Sequence, residues 1–166
     1  LILFASLFIS NFIVKKNALT KDSAYTLLFV LIFLMFFPNV LDNYKLIVSN
    51  FFTLLAMRRL VSLQTLKAPK EKIFDASFWI FVASLFHFWA ILFILLVYIS
   101  IIFHVTRDYR NWLIPFIALF SSSTIFVFYA LLFDKQAIDA YLLSEVINLQ
   151  VDYFTNNYQN IAFSIY

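Results

Sequence analysis

The sequence predicts an all-α fold, a polytopic bundle of transmembrane helices, and three observations predict it. Of its 166 residues, 64% are hydrophobic and only 13% are charged, whereas an ordinary soluble domain is about half apolar and a quarter charged. The mean hydropathy is +0.91. The apolar residues come in long unbroken runs and not in the dyad alternation of a barrel strand, and an open sheet edge cannot satisfy its backbone groups in lipid.

Composition also excludes several classes of function. The chain has no cysteine, which removes disulfides and thiolate metal sites. It has no glycine, so a P-loop, a Rossmann turn and a GxxxG helix contact are all absent, and helix packing must rely on Ala and Ser. The net charge of +3 is spread over short loops beside apolar runs, where positive charge is a topology signal and not a nucleic-acid footprint.

A span needs about 20 residues to cross a hydrocarbon core about 30 Å thick. Charged stretches then divide the chain. Residue 1 is a leucine inside the apolar run Leu1 to Val14, which has no basic n-region and no cleavage site, so it reads as the end of a span in a fragment of a larger protein. The basic loop KKNALTKDS (15–23) follows, with Asp22 or Ser23 available to cap the next helix. Ala24 to Phe37 runs apolar until Pro38, and DNYK (42–45) makes a short turn.

Leu46 to Met57 reads as the next span. RRLVSLQTLKAPKEK (58–72), with five basic residues against one acid, reads as the most polar loop. After the stretch 73–104 come RDYRNW (107–112) and then Leu113 to Phe133, a span with Pro115 in its first turn. Residues 1–133 thus form a transmembrane region. Residues 134–166 form an extracytoplasmic amphipathic helix and an aromatic, Asn-rich tail, with Ile138, Tyr141, Leu142, Val146 and Leu149 on one helical face.

The stretch from Ile73 to His104 is 32 residues long, and as one helix it would measure about 48 Å, well beyond a bilayer core. The loops at 15–23, 42–45, 58–72, 107–110 and 134–139 carry three, one, five, two and one Lys or Arg. An even number of crossings within 73–104 puts the basic loops on the cytoplasmic side; a single crossing does not. The expectation is a short-helix hairpin at about 73–104, turning at His87-Phe88-Trp89. Helical spacing gathers Ala76, Ser77, Ala83, Ser84 and His87 on one side of its first arm, and Phe78, Trp79, Phe81, Leu85 and Phe86 on the other.

The segment RRLVSLQTLKAPKEKIFDASFWIFVASLFHFWAILFILLVYISIIFHVTRDYRNWLIPFIALF resembles an uncharacterised family of multi-pass inner-membrane proteins from flavobacteria and their relatives. Members share a double Arg, a basic loop, a D-A-x-F/L start and an A-S-L-F-x-F pair of short helices. The likeness covers roughly residues 46 to 120 and implies a bacterial inner-membrane location with no established activity. Some members carry a carotenoid-cleaving label, but its four-histidine iron centre cannot be built from the two histidines present. The layout of basic loop, short helix, turn, short helix and Arg/Trp loop is also similar to that of polyprenyl-phosphate-dependent glycosyltransferases of the GT-C superfamily. Their turn carries a Lys-Pro-like pair where this chain has His87-Phe88-Trp89. No catalytic residue carries over.

The candidate residues are therefore few. Arg58, Arg59, His87 and Arg107 either sit at interfaces as topology signals or hold the phosphate of a lipid head group. Asp75 reads as a structural cap of the helix start, or as a partner of Lys70 or Lys72. His104 lies beside Arg107, with Tyr109 and Trp112 as an aromatic belt. On the hairpin reading His87 and His104 occupy opposite faces, so neither a metal site nor another cofactor is expected. The expected partners are membrane lipids, a polyprenyl phosphate among them, and not nucleic acid. Two functional classes follow: a GT-C-like module acting on a lipid-linked sugar, and a non-catalytic membrane scaffold or assembly subunit.

Overall fold

The computed structural model describes residues 1–17, 25–36, 41, 43–65, 67–105 and 109–133, and these are helical with no strand among them. The α-helices are α1 (Ile2–Lys16), α2 (Tyr25–Phe36), α3 (Tyr44–Val61), α4 (Pro69–Phe86), α5 (Ile94–His104) and α6 (Ile114–Phe133). Three short 3₁₀ turns, Ser62–Thr65, Phe88–Phe93 and Tyr109–Trp112, join them. The predicted caps Asp22 and Ser23 and the predicted amphipathic helix and tail at 134–166 lie outside the described residues.

The helix ends follow local chemistry. Lys15 and Lys16 occupy the last turn of α1, where cations oppose the negative end of the helix dipole. The Asn17 side chain donates to the Ile13 carbonyl at 2.8 Å. Helix α3 starts two residues earlier than expected because Asn43 caps it, accepting from the Lys45 backbone N–H at 3.1 Å. It also continues through Arg58 and Arg59, which lie in its last turn and not in a loop. The predicted polar loop 58–72 is thus mostly helical, and a solvated helix end accepts charge as readily as a loop does.

Helix α4 begins at Pro69, with Glu71 in its first turn, both favourable at a helix N-terminus. Its N-cap is Ala68, at φ 47° and ψ 58°, with no side-chain cap. A left-handed alanine costs about 1–2 kcal/mol, and a chain without glycine has few residues better suited to that turn. Asp75 is therefore not a structural cap. It lies six residues beyond Pro69, past the first turn whose N–H groups need acceptors.

The chain breaks at His87, which is extended at φ −145° and ψ 109°. Its N–H closes α4 on the Ala83 carbonyl at 3.1 Å, and its carbonyl accepts from the Ala90 N–H at 2.9 Å to open the next 3₁₀ turn. Ile73 and Ile80 of α4 share one buried cluster with Val97 and Ile101 of α5, so the two arms fold back on each other as the predicted hairpin. The 18 residues of α4 span about 27 Å, because the helix starts at Pro69 and not at the expected Ile73.

Contacts fix the helix directions. Ser49 Oγ donates to the Ala83 carbonyl at 3.1 Å and Arg59 pairs with Asp75, so α3 and α4 are antiparallel. Phe12 near the end of α1 lies beneath Arg58 near the end of α3, so those two helices run in parallel. Val105 and Ile114 both pack on the cluster that holds Ile73, which returns the start of α6 to the start of α4.

Helix α4 is the centre of the bundle, packed on α3, α5 and α6. Its Ala76, Ser77, Ala83 and Ser84 are all buried, and small residues let helix backbones approach closely. Pro115, Ala118, Ser122 and Ala130 form the matching buried face of α6. The expected division into a small face and an aromatic face needs one correction. Trp79 and Phe86 stack on Phe52 of α3 at 5.5 and 5.7 Å, because positions 79, 83 and 86 share a helical face.

Outside the core many of the described apolar side chains are exposed. Phe103 is 78% exposed and Phe120 is 73% exposed. Two stretches, Tyr44–Thr65 and Tyr109–Leu132, are long and apolar enough to cross a membrane, yet only 28% and 22% of their apolar windows is buried.

Candidate functional site

The helix directions collect charge at one end of the bundle. Here lie the ends of α1 (Lys15, Lys16) and α3 (Arg58, Arg59), the start of α4 (Lys67, Lys70, Lys72) and the turn before α6 (Arg110). Lys45, at the start of α3, is the one described Lys or Arg at the far end. Helix polarity explains part of this, since α1 and α3 both point their negative dipole ends here.

The cations differ in how they are engaged. Arg59 Nη2 meets Asp75 Oδ2 at 3.0 Å, with both side chains partly exposed. Asp75 thus pairs with Arg59 across the α3–α4 contact, not with Lys70 or Lys72. Lys72 Nζ donates to the Ser62 carbonyl at 2.6 Å and to Thr65 Oγ1 at 2.8 Å, tying the start of α4 to the end of α3. Arg58 and Lys16 have neither kind of partner among the described residues. Each lies over the ring of Phe12, with Arg58 Cζ 4.9 Å and Lys16 Nζ 5.3 Å from its centroid, within the range of a cation–π contact.

Beside this pair a crevice of about 380 Å³ opens between the first three helices, which is the size of a small ligand pocket. It is lined by Leu3, Ser6, Leu7 and Ser10 of α1, Val30, Phe33 and Leu34 of α2, and Leu46, Ile47, Asn50 and Leu54 of α3. Leu54 and Arg58 are four residues apart in one helix, so Arg58 stands one turn above the crevice wall on the same face.

His87 is elsewhere. It borders a smaller cavity of about 220 Å³ with Ser49, Asn50 and Thr53 of α3 and Trp89, Ala90 and Phe93 of the following turn. Because α3 and α4 are antiparallel, His87 at the end of α4 and Arg58 at the end of α3 lie at opposite ends of the bundle, so the fold does not bring them to one phosphate. Arg107 lies outside the described residues. His104 is exposed at the end of α5 and its Nδ1 meets the Ser100 carbonyl at 3.1 Å. No group of three or more His, Asp or Glu suited to a metal occurs among the described residues.

Sequence reasoning missed Lys16 and Phe12. The signal was present as the spacing F-x-x-x-K in a helix, which places the two side chains on one face. Nothing in the sequence announced that Arg58 would arrive at the same ring. Comparison with known proteins finds no family model that matches the chain, no similar curated protein and no similar solved structure.

Proposed function

We propose that the chain is a multi-pass integral membrane protein of the bacterial inner membrane, or a part of one, with its basic end at the cytoplasmic face, and that it serves as a helical scaffold or assembly subunit. The observation that carries this reading is the segregation of charge. Among the described residues, Lys15, Lys16, Arg58, Arg59, Lys67, Lys70, Lys72 and Arg110 share one end and Lys45 stands alone at the other, in keeping with the positive-inside tendency. Exposed aromatics add support at both ends, with Tyr44 and Trp89 at one and Tyr109 and Trp112 at the other, as in the aromatic belts of membrane proteins.

These 166 residues contain no cysteine, so each introduced thiol is unique among them. In intact cells, an impermeant maleimide is expected to label Trp89→Cys and Lys45→Cys from outside. Lys67→Cys and Arg110→Cys are expected to react only after permeabilisation. Labelling of positions 67 and 89 from the same side sinks the hairpin topology.

A GT-C-like module acting on a polyprenyl-phosphate-linked sugar is the alternative, favoured by the pair of short helices bent at His87. The acids among the described residues are Glu71 and Asp75. Asp75 is held by Arg59 and Glu71 sits in the exposed first turn of α4, so the catalytic acid of such an enzyme has to come from outside the described residues.

A further inference from the structure

We infer that Lys16, Arg58 and the crevice between α1, α2 and α3 form a binding site for one anionic phospholipid of the basic leaflet, with its phosphate held by the two cations and one acyl chain in the crevice. This rests on the membrane reading above and names the ligand that the basic end takes.

Three observations converge. Lys16 and Arg58 come from different helices, yet both lie within 5.3 Å of the centroid of one ring, which brings two like charges to the same aromatic side chain. No carboxylate neutralises them among the described residues, where the ion pair is that of Arg59 with Asp75. An anion bound by both relieves their repulsion and gains charge-assisted hydrogen bonds, and an Arg with a Lys supplies donors well matched to phosphate oxygens.

The crevice supplies the second half of the ligand. Its wall is apolar except for Ser6, Ser10 and Asn50, and Ser6 Oγ is already spent on the Ile2 carbonyl at 3.1 Å. It begins one helical turn from Arg58, at Leu54, so a group bound at Arg58 can lead a hydrocarbon chain straight into it. Lys67, Lys70 and Arg110 are exposed at the same end but line neither this crevice nor the cavity beside His87. They contribute a diffuse attraction to the leaflet and not a site.

The full chain in detergent micelles, titrated by native mass spectrometry with dioleoyl phosphatidic acid, dioleoyl phosphatidylcholine, farnesyl phosphate and inorganic phosphate, tests this. Phosphatidic acid is expected to bind in preference to phosphatidylcholine, and the K16Q/R58Q double variant is expected to bind it about tenfold more weakly. K70Q removes the same kind of charge from the same end and is expected to change binding less than about twofold. Ser10→Phe, or Leu7→Phe should that variant not assemble, fills the crevice and weakens phosphatidic acid binding while leaving inorganic phosphate untouched. An equal loss in K70Q overturns the site in favour of diffuse attraction. Indifference of phosphatidic acid to crevice filling overturns the acyl slot, and tighter binding of farnesyl phosphate than of phosphatidic acid replaces the phospholipid by an isoprenoid. Release of the chain from membranes by alkaline carbonate is the separate failure of the membrane reading; retention without lipid preference fails the site alone.

Discussion

Helices α4 and α6 invert what water would select. Helix α6 runs from Ile114 to Phe133 without a charged residue and lies in a stretch whose apolar window is only 22% buried. Helix α4 carries Lys70, Glu71, Lys72 and Asp75, yet it is the centre of the bundle and buries Ser77 and Ser84 beside Ile73, Ala76, Ile80, Phe81 and Ala83. In water, large apolar side chains go inside because their burial drives folding. In lipid that drive between helices vanishes, and the inner positions go to residues that let backbones approach or that hydrogen-bond across the contact. On the proposed membrane reading, a charged helix at the centre and an uncharged apolar helix at the surface is the expected order.

Paired substitutions break or sharpen this contrast. The largest effect is expected for Ile80→Ala, which empties a site 1% exposed in the shared cluster of α3, α4 and α5. A loss of about 2–5 kcal/mol is typical of such a cavity. Phe120→Ala removes a larger side chain from the 73% exposed face of α6 and is expected to cost less than about 0.5 kcal/mol. Unfolding of both variants in the same detergent compares them directly, and a Phe120 variant that loses as much as the Ile80 variant ends the inversion argument.

Ala83→Leu tests close approach. Ala83 is fully buried and its carbonyl accepts from Ser49 Oγ, so added methylenes force α3 and α4 apart at about 1–3 kcal/mol. A thermal midpoint equal to that of the parent chain would show that the contact has room to spare.

Smaller effects belong to the polar contacts. Arg59 and Asp75 are 48% and 35% exposed, and a double-mutant cycle with Arg59→Gln and Asp75→Asn is expected to give a coupling of about 0.2–1 kcal/mol that shrinks with added salt. The hydrogen bond between α3 and α4 through Ser49 is expected to contribute about 0.6 kcal/mol, read from Ser49→Ala at Ser49. A salt-independent coupling in the first case would mean the pair is shielded from solvent more than its exposure implies.

Much of the helical layout was legible in the residues. The hairpin at 73–104 followed from its length and from the distribution of Lys and Arg, and the chain does reverse at His87. The buried stripe of Ala76, Ser77, Ala83 and Ser84 followed from helical spacing, because small side chains in a glycine-free helix have one common use. Boundaries near charged segments were less legible. KAPKEK reads as loop by charge, although Pro69 and Glu71 are also start signals, and taking it as loop moved the expected cap to Asp75. Of the candidate residues, Arg58 alone stands at both the cation pair and the end of the crevice, and the second cation, Lys16, and the ring beneath both, Phe12, were absent from the expected set.

Composition and apolar run length were enough to establish the all-helical character, and helical spacing the small-residue packing face, because each depends on local geometry and on one helix at a time, while the break near position 87 needed the distribution of Lys and Arg over the loops as well. Which charges meet was decided by the tertiary structure. Asp75 faces Arg59, Lys72 reaches Ser62, and Lys16 and Arg58 share Phe12, since each of these meetings depends on the parallel or antiparallel sense in which two helices pack, and no spacing along a single helix encodes that.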